Sequence, residues 1–399
     1  MLLGLRVIAF SLFCLLAFDL PAKEPALHSV EYAHSDVLQS QVPILKSSAD
    51  ACSNKHAAPR VMVIMPLDRT STFWENIVKH MKLAAEQLTI NLDVHYLKQS
   101  DSRRFNYSEY LNRVLASSER PDYLVTPFFK GLEKTLLELT SQEKISLFTF
   151  NVPLSDEMTA TLGFPRERYP YWIGHISPDE VDAGYQLADR LIQLAAKNST
   201  DAVKLIAVNG DRTGVVGQLR EKGLMQRLAL SPDVELLQLV DAKWMPGKAQ
   251  YMASRLVRRH QDIDLFWAAS DHIAMAVVNA LADYEATMDK AIVGSIDWTK
   301  EIGSYIENRS VGVSFGGHIF EGAWILPLLY DHYNHQDFAK ELTSVISYKM
   351  QGITAKNSVL LKANNINKID FSYLSQCFTG NGGVYHFSPL KQLTQYDVK

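Results

Sequence analysis

The sequence predicts an α/β protein built from parallel sheets in two halves. Three observations carry this. Unbroken apolar runs such as Val61–Met65 and Leu265–Ala269 fit strands buried on both faces. Segments with apolar residues at three- and four-residue spacing separate these runs, and strands alternating with helices form parallel, right-handed units. The strand-loop-helix pattern of residues 61–88 also returns at 204–230. At 399 residues the chain exceeds one ordinary core, so two domains are expected.

In chain order, residues 7–20 form an apolar block with Arg6 before it and Pro21-Ala22 after it. It is too short for a comfortable membrane span and has the layout of a signal peptide, residues 1–22, cleaved near Ala22. Export of this kind places the protein in the periplasm of a Gram-negative cell. Cys14 falls in the leader and lacks a lipobox, which leaves Cys52 and Cys377. In an oxidising compartment two such thiols pair as a disulfide; the alternative is two unrelated buried thiols. Residues 23–59 show no steady period and form an irregular extension.

From Arg60 the pattern is regular. A strand at 61–65 stops at Pro66, and a helix starting at Phe73-Trp74 buries Ile77, Val78, Met81, Ala84, Ala85 and Leu88 on one face. Strands at 92–97, 121–127 and 145–151 alternate with helices at 107–117 and 132–140. The Pro- and Gly-containing stretch Pro153–Pro170 is expected to cross to the second half. Strands then follow at 172–175, 203–208, 234–240, 264–269, 291–297 and 310–315, with helices at 183–197, 217–230, 248–259, 273–284 and 319–333.

Composition excludes several functions. A net charge of −4 with no basic stripe leaves no footprint for nucleic acid, and no helix-turn-helix precedes Arg60. The loop after the first strand holds neither G-x-G-x-x-G nor a P-loop, so it cannot cradle a pyrophosphate. No Cys/His set has metal spacing and no calcium loop occurs, so no cofactor is expected. Loop 67–72 instead offers an acid, hydroxyls and two adjacent aromatics, which suits a neutral polyhydroxylated ligand. One catalytic string is present: Gly312-Val313-Ser314-Phe315-Gly316 fits G-x-S-x-G. A hydrolase would use Ser314 with Asp337 and His386. Small residues at a strand crossing explain the string equally well, and the expectation is a protein that is not an enzyme.

The strings MPLDRTSTFW, GHISPDEVDAGYQLADRL, LREKGL, LFWAASDHIAMAVVNAL, VGSIDW and SFGGHIFEGAW, in this order and spacing, resemble type I periplasmic solute-binding proteins. These are the ribose- and galactose-binding kind, related to the effector domains of lactose-repressor class regulators. The resemblance covers residues 60–335. It implies two doubly wound parallel-sheet lobes joined by three crossing strands, with residues 60–153 plus 317–348 as the N-lobe, 154–316 as the C-lobe and 349–399 as a C-terminal extension. It implies a ligand, sugar or sugar-like, clamped between the lobes by Asp68, Phe73, Trp74, Asn151, Arg220, Trp244, Asp271 and Asp297. Near the third crossing this chain has Gly316-Gly317-His318 where the family usually has Gln-Asp. His175 and His318 are expected as hinge or loop hydrogen-bonders. The implied partner is the membrane permease of an ABC importer, or a membrane sensor such as a histidine kinase or chemoreceptor, with the binding protein itself a monomer.

Overall fold

The computed structural model describes residues 52, 58–66, 72–98, 104–115, 120–195, 202–260, 262–284, 290–362, 366–379 and 385–394. All of them belong to one compact unit. The expected signal peptide and most of the 23–59 extension lie outside the described residues.

The first five strands are β1 (Arg60–Pro66), β2 (Asn91–Leu97), β3 (Tyr123–Pro127), β4 (Ser146–Phe150) and β5 (Trp172–Pro178). Between them run α1 (Phe73–Gln87), α2 (Arg104–Leu115), α3 (Glu133–Gln142) and α4 (Asp156–Leu162). Next come α5 (Glu180–Ala195), β6 (Val203–Asn209), α6 (Val215–Leu228), β7 (Val234–Asp241), α7 (Pro246–Arg259), β8 (Leu265–Ala268) and α8 (Asp271–Leu281). The chain continues through β9 (Ile292–Asp297), α9 (Ile302–Glu307), β10 (Val313–Gly316) and α10 (Glu321–Tyr333). It ends with the short strands β11 (Val345–Tyr348) and β12 (Gln351–Ile353) and the short helices α11 (Gln376–Thr379) and α12 (Pro389–Thr394).

Two six-stranded sheets result, ordered β11-β5-β4-β3-β1-β2 and β12-β10-β9-β8-β6-β7. Every pairing is parallel except β10 with β12. This is the two-lobe fold of two parallel-dominated α/β sheets that the sequence predicts. Val61–Met65 is buried throughout, as are Leu265–Ala269, because helices cover both faces of each sheet.

Two boundaries differ from expectation. The chain does not leave the first sheet between Pro153 and Pro170. That stretch contains α4, whose start is capped where Ser155 Oγ accepts from the Met158 N–H at 3.2 Å. β5 then pairs with β4 and β11 in the first sheet. The passages between sheets fall instead after Pro178, at Gly316–His318 and between Tyr348 and Gln351. Gly316-Gly317-His318 is therefore the second passage, not the third.

Nor is the stretch after 348 an appendage. β12 joins the second sheet, and Leu360, Leu361, Ile366, Ile369, Phe371, Leu374, Cys377, Tyr385 and Leu393 are buried. Gln87 of α1 donates to the Ile369 carbonyl at 2.7 Å and accepts from the Phe371 N–H at 2.8 Å. Asp331 of α10 accepts from the N–H groups of Gln376 and Cys377 and from the Tyr385 hydroxyl. Cys52 and Cys377 form the expected disulfide.

Candidate functional site

In a doubly wound sheet, ligands meet the carboxyl ends of the strands where strand order reverses. In the first sheet that point lies between β1 and β3, and in the second between β6 and β8. The loops leaving these strands face one another. The Thr72 N–H donates to His272 Nε2 at 3.4 Å, Thr72 Oγ1 donates to Glu301 at 3.1 Å, and Lys130 Nζ donates to the Thr213 carbonyl at 2.7 Å. Residues from the two sheets thus close the rim of a crevice between them.

On the first-sheet side stand Phe73 and Trp74 at the start of α1, half-buried and in edge contact with ring centroids 5.0 Å apart. Trp74 also meets Phe150 at the end of β4, and Phe73 packs against His318 with centroids 4.9 Å apart. Asn151 follows β4 and donates its amide to Glu321 at 2.9 Å. Glu321 is fully buried and also accepts from Tyr348 Oη at 2.8 Å. Burial pushes its carboxyl well above the usual carboxylate range, against the pull of these two donors and with repulsion from Glu180 adding to the rise.

On the second-sheet side the centre is Arg220. Glycines place it. A Cβ on Gly184 of α5 would sit 2.0 Å from the Arg220 carbonyl oxygen, and one on Gly223 of α6 would sit 2.0 Å from that of Val181. Only glycine allows the two helix backbones this approach. It brings Arg220 of α6 against Glu180 at the first residue of α5, at 2.6 and 3.1 Å in a two-pronged pair. The guanidinium also donates to the Ala269 carbonyl and, at 3.4 Å, to Asp297. Burial alone would lower its pKa, but Glu180 and Asp297 more than offset that and the net direction is up. Asp297 closes the group, with His318 Nε2 at 3.2 Å. The Trp244 ring lies against Gly210, with the Arg220 guanidinium 5.8 Å from its centre.

Asn151, Trp244 and Asp297 share one further property. Their φ values are 71°, 58° and 145°, the left-handed region that residues with a Cβ rarely enter. Such backbone collects where surrounding structure holds a side chain in a required direction.

The structure therefore gathers Phe73, Trp74, Asn151, Arg220, Trp244 and Asp297 around the crevice. Asp68 lies outside the described residues. Asp271 adjoins the group through its backbone N–H, which donates to Asp297 at 3.4 Å, while its side chain turns to other partners. It is fully buried, and its carboxylate accepts from Ser295 Oγ, Ser314 Oγ, the Thr299 N–H and Thr299 Oγ1 at 2.6, 2.8, 2.7 and 3.0 Å. It ties α8 to β9 and β10. Sequence reasoning missed Glu180, Glu321 and Tyr348. An acid at the first residue of a helix ordinarily serves the helix dipole, and no local signal separates these two from that role.

Burial, with repulsion from Asp297, pushes Asp271 up to about 7 despite its four donors. Its unfolded value is ~3.9. Between these two pH values the unfolded chain binds fewer protons, so this group's contribution to stability is full below pH ~4 and lost as pH rises towards ~7. Asp271→Asn should flatten the fall in melting temperature across that window. The serine hydroxyls can rotate to accept from the new amide while its oxygen keeps Thr299. A profile as steep as that of the parent would contradict the assignment.

The hydrolase string is likewise explained. Ser314 sits inside strand β10, is fully buried and donates to Asp271. Asp337 is held by Arg166 at 2.6 and 2.9 Å, and His386 is exposed. The three do not form a triad, because the string is a strand rather than a strand-to-helix elbow. Among the described residues no cluster of His, Cys, Asp and Glu could hold a metal ion.

The comparisons with known proteins fall on the same ground. A family model described as a periplasmic binding protein domain matches residues 61–336. The chain belongs to this family, whose members are solute-binding proteins. Among solved structures, a periplasmic sugar-binding protein from Pseudomonas fluorescens is 25% identical with a TM-score of 0.71, over 84% of this chain and 99% of that one. An ABC transporter periplasmic solute-binding protein from Actinobacillus succinogenes 130z, with bound D-allose, is 15% identical with a TM-score of 0.64, over 75% of this chain and 99% of that one. A periplasmic ribose ABC transporter protein from Conexibacter woesei is 14% identical with a TM-score of 0.62, over 78% and 98%. No curated protein matches the chain.

Proposed function

We propose that this protein binds a sugar or sugar-like small solute between its two sheets, each sheet with its helices acting as one lobe, and delivers it as a monomer to the permease of an ABC importer. Residues 1–22 would direct it to the periplasm and be removed there. The observation that carries this reading is the set of aromatic and fixed polar groups that the two sheets bring together at the carboxyl ends of their strands. Flat aromatic surfaces (Phe73, Trp74) stand on one wall and a fixed polar group (Arg220, Asp297) with Trp244 on the other. Stacking faces and planar hydrogen-bonding groups suit a ring with apolar faces and a polar rim. The D-allose-bound neighbour supports the ligand class, and the ABC transporter neighbours support the destination.

A ligand that touches both walls favours the shut form over the open one. A thermal-shift screen of pentoses, hexoses and polyols tests the reading. One ligand class should raise the melting temperature by mass action, to the extent of about 4 kcal/mol at a thousand times its Kd. Trp74→Ala should weaken that ligand at least tenfold by calorimetry. A panel without any shift, or a Trp74→Ala protein that binds like the parent, would remove the proposal.

A further inference from the structure

The second sheet ends in an open edge beside a cationic helix. β7 is the outermost strand and pairs only with β6 among the described residues. α7 runs alongside with the sequence PGKAQYMASRLVRR, which holds four basic residues and no acid, in a chain whose net charge is −4. Between them lies a groove of about 610 Å³ whose walls include Gln238, Val240, Tyr251, Arg255, Arg258 and Arg259.

The guanidiniums in this groove are exposed, and their partners are neutral. Arg255 donates to Tyr251 Oη at 3.3 Å, Arg258 to Tyr284 Oη at 2.6 Å and Arg259 to Gln238 Oε1 at 3.2 Å. None forms an ion pair with a carboxylate of the described residues. Each guanidinium has five N–H donors, so most of the donors remain unspent. Tyr251 adds an aromatic surface that is 61% exposed.

We propose that this face docks an acidic, extended polypeptide segment of a partner, which adds to β7 as a seventh strand and sets its acids against Arg255, Arg258 and Arg259. The spacing supports a strand over other anions. Side chains on one face of a strand recur every ~6.6 Å. Arg255 and Arg259, four residues apart on one side of α7, are ~6 Å apart along the helix, and Arg258 lies one residue before Arg259. Acids at two alternate positions of the added strand would therefore match Arg255 and Arg259, while the backbone of β7 supplies the pairing. The proposal stands apart from the sugar reading, since no crevice residue takes part.

The test uses the full mature chain and a fluorescent peptide of alternating Glu and Thr. Anisotropy should show saturable binding that weakens at least tenfold in the triple variant Arg255→Gln, Arg258→Gln, Arg259→Gln, and weakens further with salt. Amide exchange should slow across Val234–Asp241 when the peptide binds. A peptide of the same length and charge, with proline in place of each threonine, should fail to bind the parent protein, which keeps the test valid even if the triple variant folds poorly. Equal binding of the proline peptide, unchanged exchange in β7, tighter binding to vesicles of anionic lipid than to the peptide, or dimerisation of the chain through this edge would each overturn it.

Discussion

Replacing Arg220 by alanine should destabilise the protein by about 3–5 kcal/mol, the loss that follows when one partner of a buried ion pair is removed. Arg220 is 3% exposed and stands between Glu180, which is 2% exposed, and Asp297. Without it two carboxylates remain desolvated and the Ala269 carbonyl loses its donor. Arg220→Lys should recover only part of this. A lysine offers one point of charge where Glu180 is held by two prongs. The same changes should weaken ligand binding at least tenfold, measured above any residual unfolding. Chemical denaturation separates the outcomes: an Arg220→Ala protein as stable as the parent would show that the pair contributes little to folding.

The second large effect concerns the disulfide. Cys52 and Cys377 are 325 residues apart in sequence, so the bond closes nearly the whole described chain. Loop-closure entropy grows with loop length, and losing such a bond costs about 2–5 kcal/mol. The bond also fixes α11, whose N-terminal N–H groups point at Asp331, and it sits where the Cys52 N–H donates to the Asn334 carbonyl at the end of α10. Cys52→Ser with Cys377→Ser should therefore melt well below the parent, and reductant should reproduce the shift in the parent alone. A double variant insensitive to reductant but melting with the parent would contradict this.

Much of the fold was legible because burial on two faces writes continuous apolar runs and burial on one face writes a helical period. Val61–Met65 and Leu265–Ala269 are of the first kind, α1 of the second. The passages between sheets were not legible in the same way. Pro153–Pro170 contains breakers, yet Ser155 followed by Asp156 and Glu157 is a helix start, and pairing partners decide that β5 stays in the first sheet. The C-terminal stretch packs through short turns and single apolar residues such as Leu361 and Phe371, which leave no period to read.

The candidate site divides along the same line. Phe73, Trp74, Asn151, Trp244 and Asp297 follow strand ends or begin helices, so topology alone sends them to the crevice, whereas Arg220 lies inside α6 and is placed by the close approach of α5 and α6 at Gly184 and Gly223. Asp271 also begins a helix after a strand. Its direction is set by Ser295, Thr299 and Ser314, which are distant in sequence. Glu180 and Glu321 became visible only through the partners that folding brings to them.

Small-angle scattering with and without the ligand that emerges from the sugar screen tests the central claim most directly. Two lobes that shut on a solute predict a smaller radius of gyration in the bound protein, absent in Trp74→Ala at the same ligand concentration. An unchanged curve at saturating ligand would contradict closure of the crevice around its guest.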